Sequence, residues 1–319
     1  MRTQAAALLL TLACAAAQAG PKAPPADLSG LWTNVTVTPI ERPAAFDGPT
    51  TTEAKAKAYE AANPQAFASA DIDTIGGRQT EWWEYGGPMI RIGGQIHTAM
   101  IVEPADGKLP YTSAGRALME AKLKTRTSGF DNPEDRPPTE RCLMGGSSSS
   151  SVPMMPHWDN SHYQIVQTRD FVAIRMESGR DPRIIRLGGA LGPGGHAPAA
   201  IRPWAGDSIG HWEGRTLVVE TTNLNAGEAF KSPQPLYISR DAKVTERFTR
   251  VSAGEIVYDF IVEDPAVYAK PWRAQLVFRT SKGPLFEYAC HEGNYALPGI
   301  LAGARHDEQV AAQSHAAGK

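Results

Sequence analysis

Short runs of alternating hydrophobic and polar residues dominate the second half of the chain. Such alternation is typical of strands with one buried face. The 25 prolines and 30 glycines punctuate the chain about every 8–12 residues, a spacing that suits a β-rich protein. The predicted strands are Tyr163–Gln167, Val172–Met176, Arg183–Leu187, Thr216–Thr222, Lys243–Arg250, Glu255–Glu263, Trp272–Thr280 and Leu285–Ala289. The pattern predicts a mainly β fold, either an antiparallel up-and-down barrel or a sandwich, with a few short helices.

The first half of the chain is predicted to hold fewer elements. A first strand is predicted over Trp32–Val37, and a hairpin over Pro88–Ile92 and Gln95–Val102, which a Gly-Gly turn joins. Runs rich in Ala and Lys predict helices over Thr50–Ala62 and Ser113–Lys124.

The N-terminus has the pattern of a secretory signal peptide over residues 1–19. Arg2 supplies a positive charge, Ala5–Ala16 is apolar, and Ala17-Gln18-Ala19 fits a cleavage site. The apolar run is shorter than the roughly 20 residues that cross a bilayer, and no second run of that length follows. The sequence therefore predicts a periplasmic or secreted protein without a transmembrane anchor; a lipoprotein attached through Cys14 is the alternative.

The remaining chain is predicted to form one domain. Residues 20–27 are a Pro/Ala linker, residues 28–308 a single β-rich domain, and residues 309–319 a disordered tail. Within the domain, residues 125–156 are predicted to be an irregular loop whose serine run is mobile or acts as a flexible linker.

Charge and motifs exclude several function classes. The 32 basic and 34 acidic residues nearly balance, without a basic stripe, which argues against nucleic acid as a partner. The sequence has no dinucleotide-binding glycine motif, P-loop or haem-attachment motif, so no organic cofactor is predicted. We expect a small-molecule substrate or ligand as the partner.

Two cysteines remain after the signal peptide. Cys142 and Cys290 would form one disulfide in an oxidising compartment. The alternative is a pair of buried free thiols, because sequence alone does not supply the geometry of a bridge.

Four motifs carry a resemblance to a known family. They are Gly210–Asn225 (GHWEGRTLVVETTNLN), Thr245–Arg250 (TERFTR), Val262–Pro265 (VEDP) with Tyr268 and Trp272, and Tyr288–Tyr295 (YACHEGNY). Residues 140–308 thereby resemble a large family of secreted, mostly uncharacterised bacterial proteins, which implies an exported β-rich fold. Relatives commonly carry a histidine two residues before the Val-x-Glu-Arg-Phe strand, where this chain has Asp241-Ala-Lys243.

A shorter motif adds a second resemblance. Ser29-Gly-Leu-Trp32 is similar to the Gly-x-Trp signature at the first strand of lipocalins. This resemblance implies a lipocalin- or calycin-like barrel that holds a small hydrophobic ligand. Some members of that wider class are cofactor-free enzymes that act on phenolic acids.

The segment His157–Tyr163 is the first candidate site. His157 and His162 flank an Asp-Asn turn, and Tyr163 follows on the opposite face of the predicted strand. Histidine can act as general acid or base near neutral pH, and tyrosine can protonate an oxygen. The alternative is a loop whose histidines face water. Relatives carry a plainer apolar segment here, so the cluster indicates a specialised activity.

The segment Glu287–Tyr295 is the second candidate site, and it is predicted to end a hairpin strand. Glu292 would share a face with Cys290, and a buried carboxylate with a raised pKa can donate a proton. His291 and Tyr295 would contact substrate. The structural alternative, which the shared motif favours, is a polar corner near Gly293.

An aromatic segment is the third candidate site. Trp83, with Arg91 and His97 nearby in sequence, could bind an aromatic ligand, and Arg91 could hold its carboxylate. Core packing for the tryptophan and a surface ion pair for the arginine are the alternatives.

Two further arrangements are not predicted to form sites. The run Asp207–Glu213 holds acid, hydroxyl and imidazole, but the chain has no nucleophile elbow, and Asp207 and Ser208 are predicted to lie in a turn before the bend Trp212-Glu-Gly-Arg215. No spacing in the chain demands a metal site, although histidines from different strands could converge at a barrel mouth.

Three functions are compatible with these patterns. The favoured one is an exported, cofactor-independent lyase or isomerase that acts by acid–base chemistry on a small aromatic or phenolic, possibly carboxylated, substrate; decarboxylation is one example. The second is a non-catalytic, lipocalin-like carrier of a small hydrophobic ligand. The third is a structural envelope protein without a cavity.

Overall fold

The computed structural model describes residues 26–63, 87–144, 151–157, 161–179, 181–188, 195–225, 228–230 and 235–317. The strands are β1 Gly30–Thr33, β2 Thr50–Thr51, β3 Arg91–Ile92, β4 Gln95–His97, β5 Ile101–Glu103, β6 His162–Gln167, β7 Phe171–Met176, β8 Arg183–Leu187, β9 Asp207–Glu213, β10 Thr216–Thr222, β11 Glu228–Phe230, β12 Leu236–Ile238, β13 Lys243–Arg250, β14 Glu255–Glu263 and β15 Trp272–Thr280. The helices are α1 Glu53–Ala62, α2 Ser113–Ser128, α3 Cys290–Gly293 and α4 Ala296–Ala317, and Pro133–Asp135 forms a 3-10 turn.

Nine of these strands close into a barrel, which confirms the predicted barrel. Their order is β1-β6-β7-β8-β9-β10-β13-β14-β15, and β15 pairs back onto β1. All neighbours in the barrel are antiparallel except β8 and β9, which run parallel. Residues 188–206 connect β8 to β9, and of these the structure describes 188 and 195–206. A parallel pair requires a connection of about this length. Both strands therefore start at the same end of the barrel.

Aromatic side chains occupy the interior of the barrel. The inward positions alternate with outward ones along each strand, as in β14, where Ile256, Tyr258 and Phe260 are buried. The ring of Phe278 in β15 lies at centroid distances of 4.9 Å from Tyr163 and 5.3 Å from Tyr258. These contacts place the hydrophobic core along the axis of the barrel.

The predicted elements of the first half are largely present. The hydroxyl of Thr52 accepts a hydrogen bond from the amide of Lys55 and caps α1 at its start. Strands β3 and β4 form a hairpin that is shorter than predicted, and Gly93 and Gly94 make its turn with φ values of +59° and +80°. The predicted strand Gln95–Val102 is divided after His97, because its last part belongs to β5, which pairs with β15. Strand β1 is shorter than predicted and ends at Thr33.

Two C-terminal predictions need correction. No strand forms over Leu285–Ala289, because the amide of Phe286 donates to the Glu177 carboxylate at 2.8 Å instead of to a neighbouring strand. The segment then turns into α3. Helix α4 runs on to Ala317 and includes residues 309–317, where the sequence suggested a disordered tail; alanine, the strongest helix former, is frequent there.

A disulfide joins Cys142 to Cys290, as the cysteine count indicated, and their Cα atoms lie 5.7 Å apart. The bridge connects the segment that follows α2 to helix α3. The side chain of Asn294 reinforces this connection, because its amide donates to the Glu140 carbonyl at 2.8 Å.

Candidate functional site

A cavity of about 330 Å³ lies at the end of the barrel where β8 and β9 start. We call it the rim pocket. Three parts of the chain form it: the segment beside Cys142, the turn from β7 into β8, and the return segment that leads into β9. Its lining residues are Leu143, Met144, Met176, Gly179, Asp181, Pro182, Arg183, Ile184, Arg186, Pro203, Trp204, Ala205, Gly206, Asp207 and Ser208.

The walls of the rim pocket are mostly apolar. Met144 and Met176 are buried, while Trp204 is partly exposed at the pocket. Pro182 and Pro203 contribute further apolar surface. Thioether and indole side chains suit a flat, apolar ligand, because they are polarizable and adapt to irregular shapes.

The inner side of the rim pocket is polar and buried. Arg183 of β8 forms an ion pair with Glu246 of β13, and their side chains are 1% and 0% exposed. The guanidinium also donates to Ser208 Oγ at 3.0 Å and to Thr221 Oγ1 at 2.8 Å, and these two hydroxyls lie 2.9 Å apart. Arg183 and Ser208 line the cavity, whereas Glu246 and Thr221 lie behind them.

Tyr258 completes this buried network. Its hydroxyl donates to Glu246 Oε1 at 2.7 Å and accepts from the amide of Met154 at 3.1 Å. Burial and the neighbouring Glu246 carboxylate hold the pKa of Tyr258 well above its usual value. Burial alone would lower the pKa of Arg183, but the Glu246 carboxylate outweighs it and the pKa is raised. The tyrosine is therefore neutral and the arginine charged at physiological pH.

A second polar cluster lies on the outer side of the pocket around Asp207. Arg186 Nη2 lies 2.9 Å from both carboxylate oxygens of Asp207. His196 Nδ1 lies 2.8 Å from the same carboxylate, and the amide of Ala197 donates to it at 2.9 Å. These contacts fix the return segment, which carries Trp204, against strand β9.

Among the predicted catalytic residues, His162 has a carboxylate partner. Its Nδ1 lies 3.0 Å from Glu177, whose side chain is 1% exposed. His157 lies five residues earlier in the chain, and its carbonyl accepts from the Ser161 hydroxyl at 2.6 Å. Tyr163 is buried on the inner face of β6 against Phe278. The structure thus places the two histidines near the start of β6 and the tyrosine in the core.

The residues of the YACHEGNY motif lie elsewhere. Glu292 and His291 belong to the short helix α3 and are exposed, and Tyr295 is 84% exposed. Residues Cys290–Gly293 of the motif are helical, so Cys290 and Glu292 do not share a face as they would in a strand. Asn294 holds this corner to the disulfide-linked segment.

The third predicted group lies on the small sheet of β2, β3 and β4. Arg91 pairs with Glu53 at 2.9 Å and with Glu60 at 3.0 Å, both on helix α1. His97 pairs with Thr50 across β2 and β4, and burial lowers the pKa of its imidazole. Trp83 lies outside the described residues. Of the predicted site residues that are described, none lines the rim pocket.

The sequence analysis did not predict the residues of the rim pocket, because its candidate sites were groups of residues close together in sequence, whereas separate parts of the chain form this pocket. One signal was available: Arg183 and Glu246 occupy inward positions of strands whose other inward residues are apolar. Asp207 and Ser208, which were predicted to lie in a turn, instead start strand β9 because they pair with Thr222 and Thr221 of β10.

Comparisons with protein families, curated proteins and solved structures find no match to this chain. Within the described ranges, no group of three or more His, Cys, Asp or Glu side chains is placed to hold a metal ion. No helix in those ranges is both long and apolar enough to cross a membrane.

Proposed function

We propose that this protein binds a small, mainly apolar ligand in the rim pocket. One observation carries the proposal: a cavity with methionine and tryptophan walls also counts the buried polar residues Arg183 and Ser208 among its lining residues. Ligand sites commonly combine an apolar lining with a few fixed polar groups. The site lies at the rim because aromatic rings already occupy the centre of the barrel.

The lining of the pocket favours a carrier over an enzyme. A general acid or base must come within hydrogen-bond reach of the reacting atom. The titratable carboxylates that line the pocket are those of Asp181 and Asp207, and Asp207 already accepts from Arg186 and the Ala197 amide. We therefore place ligand binding first and chemistry second.

We also propose that the protein is exported. The signal-peptide pattern of residues 1–19 supports this location. The Cys142–Cys290 disulfide supports it as well, because such bonds persist in oxidising compartments.

Binding at the rim pocket is tested by isothermal titration calorimetry with a panel of small phenols and aromatic alcohols. Trp204→Ala removes an aromatic wall and is expected to weaken binding by about tenfold or more, since aromatic residues dominate the energy of such contacts. Ile201→Ala is the matched control, because Ile201 lies in the same segment, is 55% exposed and is not part of the lining. Equal effects of the two changes would refute the proposed site.

A second candidate function is the acid–base lyase or isomerase activity on phenolic substrates. The observation in its favour is the pair of His162 and the buried Glu177, since a carboxylate that orients an imidazole is common in general-base catalysis. His162→Gln is expected to lower turnover of a phenolic acid by about 100-fold or more, with binding at the rim pocket unchanged. The control is His211→Gln, because His211 lies on β9 and is exposed. Equal turnover in both variants would exclude this activity.

A further inference from the structure

We infer that the ligand of the rim pocket presents a neutral hydroxyl group, as in a phenol or an alcohol, and not a carboxylate, to Arg183 and Ser208. The inference rests on the proposed function and specifies its ligand class. Three observations carry it: the charge around the pocket, the hydrogen bonds already formed by the guanidinium, and the remaining capacity of the serine hydroxyl.

The charge of Arg183 is already neutralised. Glu246 accepts from Nη1 at 2.9 Å and also bonds Nη2, and both side chains are removed from water. A ligand carboxylate would have to give up its own hydration beside a pair that carries no net charge. Burying a charge is costly unless an opposite charge is free to pair with it. Arg183 already pairs with Glu246, so a ligand carboxylate would gain little binding free energy from this arginine.

The other charged residues of the lining do not change this balance. Arg186 is bound to Asp207 through both carboxylate oxygens, and Asp181 adds another negative charge. The lining thus has two arginines and two aspartates, with Glu246 behind them. The pocket offers no excess of positive charge that would attract an anion.

Hydrogen-bond counting favours a group that both donates and accepts. Of the five N–H groups of Arg183, one reaches Ser208, one reaches Thr221 and two reach Glu246, so one Nη1 hydrogen remains for an acceptor. The Ser208 hydroxyl accepts from Arg183 and shares one hydrogen bond with Thr221. A hydroxyl has three hydrogen-bonding sites, so Ser208 keeps one. A ligand hydroxyl can accept from the arginine. It can also accept from the serine if Ser208 keeps its proton, or donate to the serine if Ser208 keeps a lone pair.

Two ligands of similar size test the inference by calorimetry at pH 7: 4-methylphenol, which is neutral, and 4-methylbenzoate, which is an anion. We expect the unmodified protein to bind the phenol about tenfold or more tightly than the benzoate. Benzoate binding equal to or tighter than phenol binding would overturn the inference while leaving the proposed function intact. Failure of both ligands and of the whole phenol and alcohol panel would overturn the proposed function itself.

Glu246→Gln tests the physical cause. The change leaves the charge of Arg183 uncompensated, so the preference is expected to shift toward the benzoate by about tenfold or more. Glu263→Gln is the control, because Glu263 is a partly exposed partner of Lys243 and does not line the pocket. An unchanged preference in a folded Glu246→Gln protein would overturn the inference.

Ser208→Ala provides a second test of the inference, which applies even if the Glu246→Gln protein does not fold. Removal of the serine hydroxyl is expected to weaken binding of 4-methylphenol by about fivefold to tenfold, since one hydrogen bond contributes about 1 kcal/mol. Binding of toluene, which has no hydroxyl, is expected to stay the same. Equal losses for both ligands would mean that the serine shapes the cavity only, which would contradict the inferred hydroxyl contact.

Discussion

At the residue scale, the Arg183–Glu246 pair distinguishes this barrel interior from a purely apolar one. Burying two charges costs several kcal/mol per ion, and their attraction often does no more than offset that cost. The pair is therefore weak evidence for stability. In the proposed function, its position beside the rim pocket gives it another role, because it would present fixed, charge-neutral hydrogen-bonding groups to the ligand.

Tyr258 supports a prediction about stability at alkaline pH. Its pKa is raised above the usual value of about 10 by burial and by Glu246. The unfolded chain ionises this phenol first as pH rises, so the contribution of Tyr258 is complete below about pH 10 and is lost as pH rises through the folded-state pKa. We expect the free energy of unfolding, measured with urea, to fall more steeply between pH 9 and 11 in the unmodified protein than in Tyr258→Phe.

The same variant also tests the buried network at neutral pH. Tyr258→Phe leaves Glu246 and the Met154 amide each short of one partner, which is expected to cost about 1–3 kcal/mol. Tyr295→Phe makes the same chemical change at a side chain that is 84% exposed. It should alter neither the free energy of unfolding at neutral pH nor its fall between pH 9 and 11. If both variants follow the same pH curve, ionisation of Tyr258 does not contribute to alkaline unfolding.

At the element scale, alternation predicted most barrel strands because one face of each strand is buried. Strands β13, β14 and β15 begin and end at the predicted residues. The strand that alternation predicted over Leu285–Ala289 does not form. There the Phe286 amide donates to the side chain of Glu177, the residue that follows β7. Alternation also failed to reveal the parallel pairing of β8 with β9, because direction is set by the return segment and not by the strand's own residues.

The candidate site was less predictable than the strands. Arg183 and Glu246 lie 63 residues apart and meet only because the barrel brings β8, β9, β10 and β13 together in that order. The histidines were predicted as site residues because they can act as general acids or bases. Of these, His162 has a buried carboxylate partner, Glu177, of the kind that orients a catalytic imidazole. Side-chain type identifies candidates, whereas closure of the sheet decides which of them share a cavity.

At the scale of the whole molecule, two long-range connections join distant parts of the chain. Strand β1 closes the barrel by pairing with both β6 and β15. The disulfide then ties the segment before Leu143 and Met144, which line the rim pocket, to helix α3 beyond the last barrel strand. Stability and ligand binding should therefore both depend on this bond.

Replacement of both cysteines by serine tests this dependence. Cys142 and Cys290 are separated by 148 residues, and in the chain-entropy model a loop of that length stabilises the fold by about 4–5 kcal/mol. We expect the double variant to unfold at a lower urea concentration. We also expect it to bind 4-methylphenol more weakly, because the segment that carries Met144 is then no longer tied to α3 through Cys142. Dithiothreitol should shift the unfolding midpoint of the unmodified protein in the same direction and leave the double variant unchanged. Identical midpoints for the oxidised protein and the variant would show that the packing of Asn294 and its neighbours holds the segment without the bond.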